Sequence, residues 1–273
     1  MMGAKGFYEI ILFIYGLSLA GYFVDFIQRN QKVHRVAFWL LGMVWLIQTV
    51  FLLVEVFFHK SFPVFTIQDS FFFYSWVLIT FSLVMDKFFP VHFIVFFINI
   101  FGFFILLLYI ASKAQQTMPQ RGIELVNELL VTHIVLAIIS YGFFTISFLL
   151  SAMYLVQYQL LKRKKGFRWM RRFGDLHVLD FYAHRSITIG LPLLLLSIIL
   201  GFVWADVANA TFYWLDLKTI GSLLVLVAYI FVLFFRLIIG YQGKAISFYN
   251  VAVFLILLVN FFLSGVLSNF HFG

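Results

Sequence analysis

Apolar residues in this chain come in long unbroken runs separated by short polar clusters, with neither strand-like alternation nor one-sided helical stripes. Crossing a bilayer core takes about 20 apolar residues as a helix. Eight runs qualify: Phe7 to Ile27, Val36 to Phe57, Ile67 to Met85, Val91 to Ala111, Leu125 to Gln157, Ile187 to Val207, Ile220 to Ile239 and Phe248 to Ser268. The fifth outruns the membrane and predicts a helix continuing to about Leu161. Lipid leaves a spanning backbone only helices or closed barrels, and the alternation of a barrel is missing. The pattern therefore predicts an all-α, polytopic transmembrane helical bundle. No internal repeat is visible, so residues 1–273 read as a single integral membrane domain. The first run is too long for a signal peptide and lacks a small-residue cleavage site, so it is expected to stay as a helix.

Composition narrows the chemistry. The chain is 64% hydrophobic and only 11% charged, with 39 Phe among its 273 residues. Its mean hydropathy is +1.04. This places it in a membrane, as a multi-pass protein of the cell membrane. It has no cysteine, which excludes thiol redox chemistry, thiolate ligation and covalent attachment of a cofactor through CxxCH.

Charge sets the expected orientation, because Lys and Arg accumulate in cytoplasmic loops. With the N-terminus outside, fourteen fall inside: Arg29, Lys32, Arg35, Lys87, eight between Lys162 and Arg185, Arg236 and Lys244. Lys5, Lys60, Lys113, Arg121 and Lys218 fall outside. Both termini are therefore expected outside, with a cytoplasmic basic segment at 161–185. The net charge of +8 is mainly this signal. No folded basic domain supports nucleic-acid binding, and the expected partner of LKRKKGFRWMRR is anionic lipid, with Trp169 and Phe173 at headgroup level.

That topology sorts the histidines. His34, His92, His177 and His184 fall at the inner rim, and His59, His133 and His271 at the outer one. His59, next to Lys60, reads as solvated. His133 lies just inside the fifth span and His271 just past the eighth. Between them, the outer loop 201–218, GFVWADVANATFYWLDLK, carries Trp204, Phe212, Tyr213, Trp214, Asp206 and Asp216. Neutral imidazoles can ligate haem iron from opposite faces while aromatic rings pack on the porphyrin. The competing reading is an interfacial aromatic belt with rim histidines. Asp216, ahead of an apolar run, equally suits the N-terminus of the seventh helix.

The order of these features resembles the cytochrome c assembly family (CcsA- and CcmC-like), most closely its HemX-type branch. The resemblance rests on a histidine on a helix, Gly201-x-x-Trp204-Ala205 opening an aromatic loop, Asp216-x-Lys218 closing it, and a second histidine after the last span in LSNFHFG. The stretch FPVFTIQDSFFFYSW before and within the third span adds to it. Against the family's aromatic signature, Trp204, Ala205, Asp216 and Lys218 match. Asn209, Ala210, Phe212, Tyr213, Leu215, Leu217 and Thr219 depart from it, and Trp214 falls at a variable position, so the aromatic shelf is thinned and shifted.

The resemblance implies a non-enzymatic haem-binding or haem-handling protein with His133 and His271 as axial ligands and Trp204, Tyr213, Trp214 and Asp216 beside the cofactor. Asp69, at the start of the third helix, would help orient the site or serve its rim. Two contexts are implied: cytochrome c maturation with other assembly components, and, for the HemX-type branch, negative control of the level of glutamyl-tRNA reductase in haem biosynthesis. For the second, the 161–185 segment is a candidate docking surface.

Other patterns carry less. Glu128 precedes His133 by the wrong spacing for a zinc helix. Pro192 is expected to kink the sixth helix. Glu55 and Asn99 interrupt apolar helices, and Asn99 is deep enough to require a partner. They keep open a haem or small-molecule transporter, although no symmetry-related broken helices are visible. A structural membrane partner without haem is the remaining alternative.

Overall fold

The computed structural model describes residues 2–58, 67–88, 92–114, 128–164, 175–207 and 217–267. They form eight helices: α1 (Met2–Gln28), α2 (Gln31–Phe58), α3 (Ile67–Phe88), α4 (His92–Ala114), α5 (Glu128–Lys162), α6 (Leu176–Val207), α7 (Leu217–Leu237) and α8 (Lys244–Leu267). Each is long and apolar enough to cross a membrane, and there is no strand among the described residues. The predicted all-α polytopic bundle of eight spans is what the chain forms, and the extension of the fifth helix ends at Lys162.

One helix start differs by more than five residues, and the expected outer loop 201–218 is shorter than read, because residues 201–207 belong to α6 and 217–218 to α7. α6 begins at Leu176 rather than at Ile187. The Asp175 carboxylate accepts the His177 backbone N–H at 3.1 Å and caps the helix. The first three turns carry His177, Asp180, His184 and Arg185, so their low hydropathy hid them. The later part of the 161–185 segment is thus helical, and the connection proper starts at Arg163 and Lys164, the latter with φ of 51°. The helix runs on through Pro192.

The helices fall into two compact units, residues 1–125 and 126–273. In the first, α1 packs on α2, α2 on α3, α3 on α4, and α4 back on α1. In the second, α5, α6, α7 and α8 follow the same cyclic order. Lipid gives helices no hydrophobic drive to associate, so small residues and interhelical hydrogen bonds set these contacts. In the first unit a Cβ on Gly21 would stand 2.9 Å from that of Ala37. Beside it, Ser18 Oγ donates to the Ala37 carbonyl at 2.9 Å.

α2 and α3 are joined by a reciprocal clasp. Trp45 Nε1 donates to Thr80 Oγ1 and Trp76 Nε1 to Thr49 Oγ1, both at 2.8 Å, with the indoles stacked 18° from parallel. Each threonine passes its own proton to the carbonyl of the tryptophan one turn back on its helix. Asn99 has the partners its depth demands: Tyr15 OH donates to its Oδ1, and its Nδ2 donates to Ser82 Oγ and the Val95 carbonyl.

Candidate functional site

In the second unit α5 is stitched to α6 by three groups that recur every seven residues on both helices. Ser147 Oγ donates to the Ala183 carbonyl and Ser140 Oγ to the Gly190 carbonyl, each at 2.8 Å. His133 Nδ1 lies 2.6 Å from the Ser197 carbonyl. A seven-residue repeat keeps one seam of each helix facing the other. The seam is also narrow: a Cβ on Gly190 would meet the Phe144 ring at 3.0 Å, and one on Gly201 would meet the His133 ring at 2.9 Å. His133 is therefore the last rung of a ladder whose lower rungs are fully buried serines.

The ladder decides which ring nitrogen donates. A carbonyl oxygen only accepts, so Nδ1 must carry the proton it shares with Ser197, and the lone pair of the neutral ring resides on Nε2. Ser197 Oγ donates to the His133 carbonyl at 2.8 Å and lies 3.1 Å from Nδ1, closing the pair from both sides. An imidazole held through Nδ1 by a backbone carbonyl has the arrangement that metal-ligating histidines use to fix ring orientation and raise ligand basicity. The donor set thus fits one axial ligand of haem iron. Among the described residues no cluster of three or more His, Asp or Glu suits a directly bound metal ion.

Trp204 sits one turn beyond Gly201 on the same side of α6 and is half-buried. Tyr213, Trp214 and Asp216 lie outside the described residues; Asp216 immediately precedes the first residue of α7. His271 also lies outside them, four residues beyond the end of α8. Where its segment departs is nevertheless fixed by the packing of α8 on α5. Phe148 stacks on Phe254 at 4.4 Å, and Tyr141 meets Phe261 edge-on at 5.7 Å. Continuing that antiparallel register by one more heptad brings the end of α8 level with the His133 turn. The start of α5, the end of α6, the start of α7 and the end of α8 thus share one end of this unit, where the candidate residues begin.

Asp69 is placed in the first turn of α3, in the other unit. Sequence reading missed Ser197, and it took Gly201 only as the first residue of the Gly-x-x-Trp-Ala stretch, not as the residue that faces His133. Their signal was present as a serine and a glycine one turn apart, on the face that leads into Trp204. At the opposite end of the second unit, Arg236 grips both Asp180 oxygens at 2.9 and 2.7 Å. This ties α7 to α6 by a bidentate ion pair.

The family described as "Cytochrome C assembly protein" matches residues 64–271. "Protein HemX" of Bacillus subtilis (strain 168) is 46% identical over 263 residues, covering 96% of this chain and 95% of its own. "Protein HemX" of Brevibacillus brevis is 40% identical over 99% of both chains. "Cytochrome c biogenesis protein CcsA" of Chlamydomonas reinhardtii is 33% identical over 116 residues, covering 42% of this chain and 31% of its own. No solved structure matches.

Proposed function

The chain belongs to the cytochrome c assembly protein family, and from that premise we propose that it is a non-enzymatic haem-handling membrane protein with His133 as an axial ligand. The carrying observation is the 2.6 Å contact between His133 Nδ1 and the Ser197 carbonyl. A rim histidine serving only as a hydrogen-bonding group has no need of a fixed tautomer, whereas a ligand does. His271, on the segment leaving α8, is the second ligand. Trp204, Tyr213, Trp214 and Asp216 are the residues we assign beside the porphyrin. Bound haem supplies an iron centre on a flat apolar ring, suited either to delivery or to reporting haem supply.

Of the two contexts, negative control of haem biosynthesis is the preferred one. Both relatives that cover nearly the whole chain are named HemX, whereas the CcsA relative covers less than half of it. The Lys and Arg distribution supports placing the site-bearing end on the outer side of the membrane. The connection that contains Arg168, Arg171 and Arg172 faces the cytoplasm, where glutamyl-tRNA reductase would be met. The test is the level of that enzyme in cells. Deleting the whole chain raises it, and His133→Ala reproduces the rise at equal membrane abundance. If deletion raises the level but His133→Ala leaves it at the unmodified value, haem ligation is not part of the control.

A further inference from the structure

The first unit contains a succession of buried polar groups from one end to the other, and none belongs to the site just described. At one end, three helices converge on an imidazole between two carboxylates. His34 Nδ1 of α2 is 3.0 Å from Asp25 of α1, and its Nε2 is 3.2 Å from Asp86 of α3. Tyr22 OH donates to the same Asp86 oxygen at 3.2 Å. The Asp86 side chain is only 2% exposed, while Asp25 and His34 are each about a quarter exposed and open the cluster to the membrane surface. At this end α4 brings Phe96 and Phe97, packed on Phe26.

One turn deeper on α3 from Asp86 is Ser82, which accepts from Asn99 at 2.7 Å; Asn99 in turn accepts from Tyr15 at 3.1 Å. The next layer holds Ser75, donating to the Gly102 carbonyl. It also holds Gln48, whose height is fixed by the Trp45–Thr80 and Thr49–Trp76 bonds on either side of it. Towards the other end, Tyr109 OH donates to Tyr8 OH at 3.0 Å, and Glu55 and Asp69 lie within electrostatic reach of Tyr109. Glu55 is two turns along α2 from Gln48, on the same face.

Interhelical glue accounts for Asn99, Tyr15 and the serines, which are satisfied by one another and by backbone carbonyls. It does not account for Gln48. Its side chain is fully buried, and neither its Nε2 nor its Oε1 has a hydrogen-bond partner among the described residues. An amide left unpaired in such surroundings is costly, and an enclosed polar occupant offsets that cost. Gln48 stands between hydroxyl and amide layers, with titratable clusters at both ends, so the occupant that fits is water. Acids at both mouths and exchangeable groups between them are the parts of a proton relay.

We propose that the first four helices form a water-mediated proton path across the membrane, running from Asp25, His34 and Asp86 past Asn99, Tyr15 and Gln48 to Tyr8, Tyr109 and the carboxylates of Glu55 and Asp69. No bond other than O–H and N–H is made or broken: a proton enters at one cluster, is passed by exchange, and leaves at the other. This path stands apart from haem binding, because it uses none of the proposed ligands.

The experiment is proton flux into liposomes containing the purified full-length protein, read by an enclosed pH dye under a potassium diffusion potential with valinomycin. The expected result is flux well above protein-free liposomes, lost in Asp86→Asn and in Gln48→Leu. Gln48→Leu keeps an apolar side chain of similar size at that position, and its thermal unfolding is measured alongside, so that loss of flux in a variant as stable as the parent cannot be assigned to unfolding. His133→Ala should leave the flux unchanged. A wild-type protein no leakier than empty liposomes overturns the proposal, as does flux that survives both Asp86→Asn and Gln48→Leu.

Discussion

Gly201 leaves room for the His133 imidazole and for nothing larger: a Cβ at position 201 would stand 2.9 Å from both Cε1 and Nδ1 of the ring. The side chain that carries the proposed chemistry is thus placed by the absence of one on the neighbouring helix. Gly201→Ala must push the ring outward or spread the helix ends. The expected outcome is haem uptake weakened by about tenfold or more, with a stability loss of about 1–3 kcal/mol. Haem titration and thermal unfolding of the purified variant check it.

Ser197 holds His133 through two different groups, and substitution separates them. Ser197→Ala deletes the hydroxyl but keeps the backbone carbonyl that accepts from Nδ1. The tautomer and the haem spectrum should therefore be preserved, while stability falls by about 0.5–1.5 kcal/mol for the lost bond to the His133 carbonyl. A spectrum that changes as much as in His133→Ala would mean that the hydroxyl, not the carbonyl, fixes the ring.

In the first unit the Trp45/Thr80 and Trp76/Thr49 clasp makes a sharper demand on stability than on function. Thr49→Val and Thr80→Val each leave an indole N–H without its acceptor, at a cost of about 1–2 kcal/mol apiece. Because the two indoles stack on each other, the double variant should depart from additivity. Thermal unfolding of the two single variants and the double variant measures this, and haem titration should show no difference.

The charge distribution predicts the orientation, and reporter fusions test it. A fusion at residue 273 should report the outside and one near residue 170 the cytoplasm. Finding both on one side would reject the eight-span topology with outer termini.

Much of this architecture was readable from hydropathy, because a membrane helix announces itself by an apolar run that nothing else explains. α6 shows the limit. Its first three turns contain His177, Asp180, His184 and Arg185, and they are helical because Asp175 caps them and Arg236 grips Asp180. These are contacts that a hydropathy window does not see. At the site, His133 was legible as an isolated imidazole near a helix end, and Trp204 as part of a loop too aromatic for a plain turn. Ser197 was not singled out, and Gly201 was read only as the start of the Gly-x-x-Trp-Ala stretch, since small residues are common in membrane helices and their meaning depends on which residue faces them. The His34 bridge was hidden for the same reason: Asp25, His34 and Asp86 are remote in sequence and meet only once α1, α2 and α3 are packed.

The central claim is that His133 ligates haem, and absorption spectroscopy of the purified protein titrated with haem tests it most directly. The wild-type protein should give the spectrum of a six-coordinate, bis-imidazole haem. His133→Ala and His271→Ala should each lose that signature, and the double variant should retain no ligand-specific bands. A wild-type protein that takes up no haem, or a double variant whose spectrum matches the wild type, would contradict the account.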